Sequence, residues 1–88
     1  MLRREFILGE QKYIKFEATS CDGMPVVITG ASYTLSEGEN IVDSGICMID
    51  GAEILALIEP KNLGDYILEV TYHVAPETRK VRVAIHVT

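Results

Sequence analysis

Short apolar runs that end in turn-forming residues recur along this chain at a spacing of roughly 8–12 residues. That spacing is typical of an all-β sandwich or barrel. The pattern predicts seven strands, at residues 4–8, 12–19, 27–36, 41–49, 52–58, 65–74 and 80–87. Turns are predicted between them, at Gly9-Glu10, Asp22-Gly23, Glu37-Gly38, Asp50-Gly51, Asn62-Leu63-Gly64 and Ala75-Pro76-Glu77. Because the pattern contains no repeat, linker or low-complexity segment, residues 1–88 are predicted to form one domain.

The last two runs alternate apolar and polar residues, which predicts a hairpin with one inward face. The expected register places Leu68 opposite Val87, Val70 opposite Ile85, and Tyr72 opposite Val83. In this register the apolar side chains of both strands share one side of the sheet. A slip of one residue would turn half of them toward water, so the pattern opposes such a slip.

Residues 41–58 contain a second predicted hairpin, joined by a type I′ turn at Asp50-Gly51. The predicted pairs are Ile49 with Ala52 and Cys47 with Ile54. Both faces are apolar, with Ile46, Met48, Leu55 and Leu57 on one and Cys47, Ile49 and Ile54 on the other. Since a single face closes the core, the other is predicted to bind a partner or a second copy of the chain. Residues 52–59 also suit a short helix, which is the alternative to a strand there.

Composition and charge narrow the functional classes. Of the 88 residues, 48% are apolar and 24% charged, as in ordinary globular proteins. A chain of this length buries about 64% of its unfolded surface, enough for one thin core. With 13 acidic and 8 basic residues, the net charge of −5 disfavours nucleic acid and anionic membranes as partners. The clusters Arg3-Arg4 and Arg79-Lys80-Arg82 are interpreted as solvated strand ends and a loop, and neither a signal peptide nor a membrane span is predicted.

The sequence predicts no catalytic residue, metal site or cofactor. Cys21 and Cys47 have neither redox-motif nor zinc-ligand spacing, and both are predicted to be reduced structural thiols, with a disulfide as the alternative. In the expected C-terminal hairpin, the two histidines, His73 and His86, lie about 13 Å apart, too far to share a metal ion. Their expected cross-strand partners are Arg82 for His73 and Glu69 for His86. Phosphate-binding, nucleophile-elbow and zinc-protease motifs are absent, so the protein is not expected to be an enzyme.

One local motif points to a particular kind of sandwich. The segment Asn62-Leu63-Gly64-Asp65-Tyr66-Ile67-Leu68 resembles the Asp-x-Gly-x-Tyr-x-Cys pattern of immunoglobulin-like domains. In that pattern the tyrosine hydroxyl bonds back to the chain just before its own strand. Leu68 occupies the cysteine position, so apolar packing would replace the inter-sheet disulfide. The fold class predicted is therefore an all-β, immunoglobulin-like antiparallel β-sandwich of about seven strands, although a plain glycine turn before Tyr66 remains an alternative interpretation.

Read from end to end, the chain resembles small immunoglobulin-like domains of phage and prophage tail modules, in particular the N-terminal domain of phage baseplate upper proteins. The matching segments are Gly9-Glu10, Asp22-Gly23-Met24-Pro25-Val26-Val27-Ile28-Thr29-Gly30-Ala31, Tyr33-Thr34-Leu35, Asp50-Gly51, Gly64-Asp65-Tyr66 and Val83-Ala84-Ile85-His86-Val87. The resemblance implies a virion structural component, made in the bacterial cytoplasm, that binds other virion proteins or itself. A small ligand- or carbohydrate-binding sandwich is the alternative function.

Overall fold

The computed structural model describes residues 2–19 and 26–88, and these residues form eight strands and no helix. The strands are β1 (Leu2–Phe6), β2 (Lys12–Glu17), β3 (Gly30–Glu37), β4 (Asn40–Ile46), β5 (Met48–Asp50), β6 (Glu53–Ile58), β7 (Gly64–Val74) and β8 (Glu77–Val87). The all-β prediction is confirmed, and residues 53–58 are a strand rather than a helix. Within the described residues, no helix is long and apolar enough to cross a bilayer.

The strands form two sheets that pack into a sandwich. One has five strands in the order β1-β8-β7-β3-β4, and the other has three in the order β2-β6-β5. The series β3-β7-β8 facing β2-β6-β5 matches the C-F-G and B-E-D strands of immunoglobulin domains. The prediction of a purely antiparallel sandwich needs one correction, because β1 runs parallel to β8.

Alternating apolar residues from both sheets fill the space between them. In β7 and β8 the buried positions are two residues apart, as the pleat of a strand requires. The completely buried large side chains are Phe6, Leu35, Ile54, Ile58, Leu68, Val70, Val83 and Ile85. Since these come from β1, β3, β6, β7 and β8, a single core joins the two sheets.

The predicted strand at 41–49 is wrong as a single element, because it divides between the sheets. Its first part, β4, pairs with β3, and its last part, β5, pairs with β6. Cys47 lies at the break, where its N–H donates to the Ala31 carbonyl (3.0 Å) and its side chain is buried. This division accounts for the eighth strand.

The predicted registers of the two hairpins are also wrong. In the C-terminal hairpin, Leu68 pairs with Val83 and Val70 with Val81, four positions from the expected partners. The two strands continue to Val74 and Glu77 and are joined by a loop of two residues, Ala75-Pro76. This short loop sets the register, so each β7 residue pairs with a β8 residue four positions earlier in the chain than the sequence pattern suggested. In the other hairpin Ile49 pairs with Ile54, and the loop is Gly51-Ala52.

That loop also differs from the predicted type I′ turn at Asp50-Gly51. A type I′ turn needs positive φ at both central residues, whereas only Gly51 (φ 61°) has it here. Glycine with positive φ at the first central position is the pattern of a type II′ turn. The turn therefore starts one residue later than expected, which moves the pairing of β5 with β6 by two positions.

Candidate interaction surface

The seven residues predicted to form the apolar hairpin lie in four environments. Cys47 and Ile54 are buried in the core, while Ile49, which pairs with Ile54, is 37% exposed. Met48, Leu55 and Leu57 are exposed or half-exposed on the outer surface of the three-stranded sheet. The structure therefore identifies the outward side of this hairpin.

Ile46, grouped with these outward residues by sequence, lies elsewhere. It pairs with Ser32 at the edge of the five-stranded sheet and is 89% exposed on that sheet's outer surface. The cause is the division of the predicted strand at Cys47, which places Ile46 and Met48 in different sheets. Gly45, just before the break, lets β4 pass close to the Tyr33 ring, since a Cβ there would lie 2.9 Å from Tyr33 Cε1.

The pairing of β2 with β6 adds a residue that the sequence analysis did not assign to this surface. Tyr13 lies directly opposite Leu57 and is 51% exposed, and Leu55 lies between Lys15 and Met48. The contiguous outward side chains Tyr13, Met48, Leu55 and Leu57 are called the apolar patch below. The alternation of buried Ile14 and Phe16 already indicated that Tyr13 points outward, but its neighbours depended on the pairing of distant strands.

An acidic row borders the apolar patch at one end of the three-stranded sheet. Glu17 lies opposite Glu53, and Glu53 lies opposite Asp50, so three carboxylates occupy adjacent positions across the strands. All three side chains point outward, because Phe16 and Ile54, next to Glu17 and Glu53, are buried and Asp50 lies opposite Glu53. Lys15 Nζ is 3.4 Å from the Glu53 carboxylate and offsets one of the three charges.

The other residues considered for chemistry do not converge. His73 Nδ1 is 3.1 Å from Thr78 Oγ1, and His86 Nδ1 is 2.6 Å from Asp65 Oδ1, which replace the expected partners Arg82 and Glu69. The pairing of β7 with β8 separates the two histidines by about 26 Å along the sheet. No group of three His, Cys, Asp or Glu residues within 2–19 and 26–88 is placed to hold a metal ion.

Among the described residues, the one thiol is that of Cys47, which lies in the core. Cys47 is a free, buried cysteine, and burial raises the pKa of its thiol to about 11. It is therefore protonated and weakly nucleophilic at neutral pH. Cys21, for which a reduced thiol was also predicted, lies outside the described residues.

The basic clusters form ordinary surface pairs. Glu69 on β7 accepts hydrogen bonds from Arg82 (2.7 Å) and Lys80 (3.4 Å), and Arg79 bonds to Glu77 (2.9 Å). The hydrogen bond from Arg82 is the main reason that the pKa of Glu69 is lowered. Arg3 is paired likewise with Glu5 (2.9 Å). Each of these clusters thus has an acidic neighbour, as expected for solvated strand ends.

A cleft of about 290 Å³ opens beside the loop between β6 and β7. Its walls include Leu35, Val42, Asp43, Lys61 and Tyr66. The charged groups named here already have partners, since Asp43 accepts from Tyr33 Oη (3.2 Å) and from the Ser44 N–H (2.9 Å), and Lys61 pairs with Glu59. The apolar patch, whose side chains are exposed to solvent, is therefore the stronger candidate for a binding surface.

Comparison with known proteins supports the fold and leaves the function open. No protein-family model matches this chain, and no curated protein is significantly similar to it. The chain is similar in structure to a crystallised engineered protein, a Northeast Structural Genomics Consortium target, with a TM-score of 0.71 and 18% sequence identity. The similarity covers 99% of this chain but only 18% of that protein. At this identity the likeness concerns the fold alone.

Proposed function

We propose that this domain is a non-enzymatic protein-interaction module that contacts another protein of a larger assembly through the apolar patch. The observation that carries the proposal is the grouping of Tyr13, Met48, Leu55 and Leu57 on one side of a three-stranded sheet. Contiguous apolar side chains on an outer sheet surface are uncommon in monomers and are typical of contacts with a partner.

The resemblance to phage baseplate upper proteins gives the proposal its biological setting. It suggests that the assembly is a phage or prophage tail or baseplate, and that the partner is a neighbouring virion protein or a second copy of this chain. The resemblance rests on sequence motifs such as Gly64-Asp65-Tyr66, with no contribution from the comparisons above. The proposed place of the mature protein is therefore the virion, with neither nucleic acid nor membrane as its ligand.

Co-expression with each structural protein encoded beside this chain tests the proposal. An affinity tag on this domain should capture one of them, or a second, differently tagged copy of the domain. Leu57→Asp on the apolar patch should reduce capture at least tenfold, because the partner would have to bury a carboxylate. The matched control is Leu63→Asp, at an exposed leucine outside the patch, which should leave capture unchanged.

Two outcomes would contradict the proposal. Equal loss of capture by the two variants would show that the apolar patch is not the contact. Binding to a glycan array that disappears with Tyr13→Ala, without capture of any protein, would favour the carbohydrate-binding alternative, in which the half-exposed ring supplies a stacking surface. Far-UV circular dichroism and the denaturation midpoint of each variant verify that the fold is intact.

A further inference from the structure

The acidic row places like charges where a sheet does not favour them. Side chains directly opposite each other on neighbouring strands have Cβ atoms about 4.5–5.5 Å apart, and like charges in such pairs are destabilising. Glu53 has a carboxylate opposite it on both sides, Glu17 on β2 and Asp50 on β5. Of the three carboxylates, only that of Glu53 forms an ion pair with Lys15, so the row keeps an excess of two negative charges.

The position of this row suggests what offsets it. The row adjoins the apolar patch on two strands, through Glu53 and Leu55 on β6 and through Asp50 and Met48 on β5. On β2, Lys15 lies between Glu17 of the row and Tyr13 of the patch. A segment lying on the patch therefore meets carboxylates at one end. The chain as a whole carries a net charge of −5, which attracts a cationic partner and repels an acidic one.

We infer that the partner of the apolar patch is a protein segment with apolar side chains flanked by lysine or arginine, whose cations sit against Glu17 and Asp50. The inference rests on the proposed function and specifies its partner by charge complementarity. It makes a second copy of this chain the less favourable occupant, because two acidic rows would repel each other. It also implies that the acidic row lowers the stability of the free domain, and that a bound cationic partner offsets this loss.

A pair of synthetic peptides tests the inference on the intact 88-residue chain. One peptide alternates leucine and lysine, and the other alternates leucine and glutamate, so the two have equal apolar content. Binding is measured by NMR titration, with the backbone amides of Met48, Leu55 and Leu57 as reporters. The lysine peptide should shift these amides and bind more weakly as ionic strength rises from about 0.05 to about 0.5 M, whereas the glutamate peptide should not bind.

Charge variants of the domain supply a second readout that needs no partner. Glu17→Gln and Asp50→Asn should each weaken binding of the lysine peptide roughly two- to fivefold. The same variants should raise the denaturation midpoint of the free domain, because they remove like-charge contacts within the row. Glu39→Gln, at an exposed carboxylate in the turn between β3 and β4, is the matched control and should change neither quantity.

The outcomes separate this inference from the proposed function. Equal binding of both peptides at the apolar patch would overturn the cationic partner but support a protein-binding patch. Shifts confined to other surfaces, or an absence of binding by both peptides, would overturn the inference and count against the patch itself. A lower denaturation midpoint for Glu17→Gln and Asp50→Asn would refute the claim that the row is destabilising in the free domain.

Discussion

Tyr66 links the start of β7 to the loop before it through one hydrogen bond. Its ring is buried and its hydroxyl donates to the Asn62 carbonyl (2.9 Å), which confirms the tyrosine-corner prediction. Tyr66→Phe keeps the packing of the ring but leaves that carbonyl without this donor. The free energy of unfolding should fall by about 0.5–1.5 kcal/mol in urea denaturation.

The control for this substitution is Tyr13→Phe on the outer surface of the small sheet, where the half-exposed hydroxyl is replaced without loss of a buried contact. Its denaturation midpoint should match that of the wild type. If Tyr66→Phe were equally silent, the hydrogen bond to Asn62 would contribute nothing to stability.

Cys47 makes stability depend on pH in the alkaline range. The ordinary thiol pKa is 9.0, and burial raises that of Cys47 to about 11. Its contribution is therefore complete below pH 9 and is lost as pH rises from 9 to 11, because the unfolded chain ionises first. The loss reaches up to about 3 kcal/mol. Urea denaturation at pH 7, 9 and 10.5 measures it.

The comparison chain for that experiment is Cys47→Ala, which has no thiol to ionise. The difference in unfolding free energy between wild type and Cys47→Ala should shrink as pH rises, since other alkaline titrations are common to both proteins. Parallel curves for the two proteins over this range would mean that the thiol ionises equally in the folded and unfolded chains.

Among the strands, β4 has an exposed edge that needs protection from pairing with other chains. It carries one charged residue, Asp43, whereas the outer strand β1 carries Arg3, Arg4 and Glu5. Two features protect β4. The register with β3 shifts near Val42, as in a bulge, and the Asp43 carboxylate accepts the Ser44 N–H (2.9 Å) while held by Tyr33 Oη.

Asp43→Ala should release the Ser44 N–H and promote self-association at this edge. Sedimentation velocity over a range of protein concentrations should show a larger oligomeric fraction than for wild type. Asp43→Asn removes the same charge but keeps an oxygen that can accept from Ser44, so it should associate less than Asp43→Ala. If the two variants associated equally, the effect would come from the lost charge and not from release of the Ser44 N–H.

Sequence periodicity predicted strands more reliably than it predicted their partners. The alternation in β7 and β8 identified the buried set correctly, yet a register shift of four residues leaves the same side chains facing inward. The apolar pattern therefore cannot distinguish these registers, and the short Ala75-Pro76 loop decides between them. Likewise, Ile46 and Met48 look alike in sequence, and only the passage of the chain between sheets at Cys47 separates them.

The candidate surface was predictable to the same extent. The sequence separated the two faces of β6 but left open which of them points outward. Tyr13 and the acidic row depend on which strands lie on either side of β6. The β2 neighbours of β6 lie more than 30 positions away in the chain, and one sequence carries no direct signal for such contacts. The β5 neighbours belong to the predicted hairpin, but its turn starts one residue later than expected, so the pairs differ. Which side chains lie together on the patch is therefore decided by the order and register of the strands in the sheet.

At the scale of the whole molecule, the sandwich is elongated. Its extents are 41 × 22 × 21 Å, and its accessible surface of 5655 Å² exceeds the roughly 5,100 Å² expected for a compact protein of this mass. A thin core thus stabilises a long molecule, and neither sheet has a second apolar layer of its own. Each sheet depends on the other for burial.

The two sheets should consequently unfold as one cooperative unit. Leu68→Ala in the large sheet and Ile54→Ala in the small sheet each remove a completely buried side chain, at an expected cost of about 2–5 kcal/mol. That is a large part of the roughly 4–13 kcal/mol typical for a domain of this size. In native-state hydrogen exchange, either substitution should lower the opening free energy of the Ala56 and Val83 amides equally.

Thr71→Ala, at a half-buried outward position of β7, is the control and should change either value by less than about 0.5 kcal/mol. Loss of protection confined to the substituted sheet would show instead that the sheets open independently, and that the small sheet with its apolar patch is a separate stability unit.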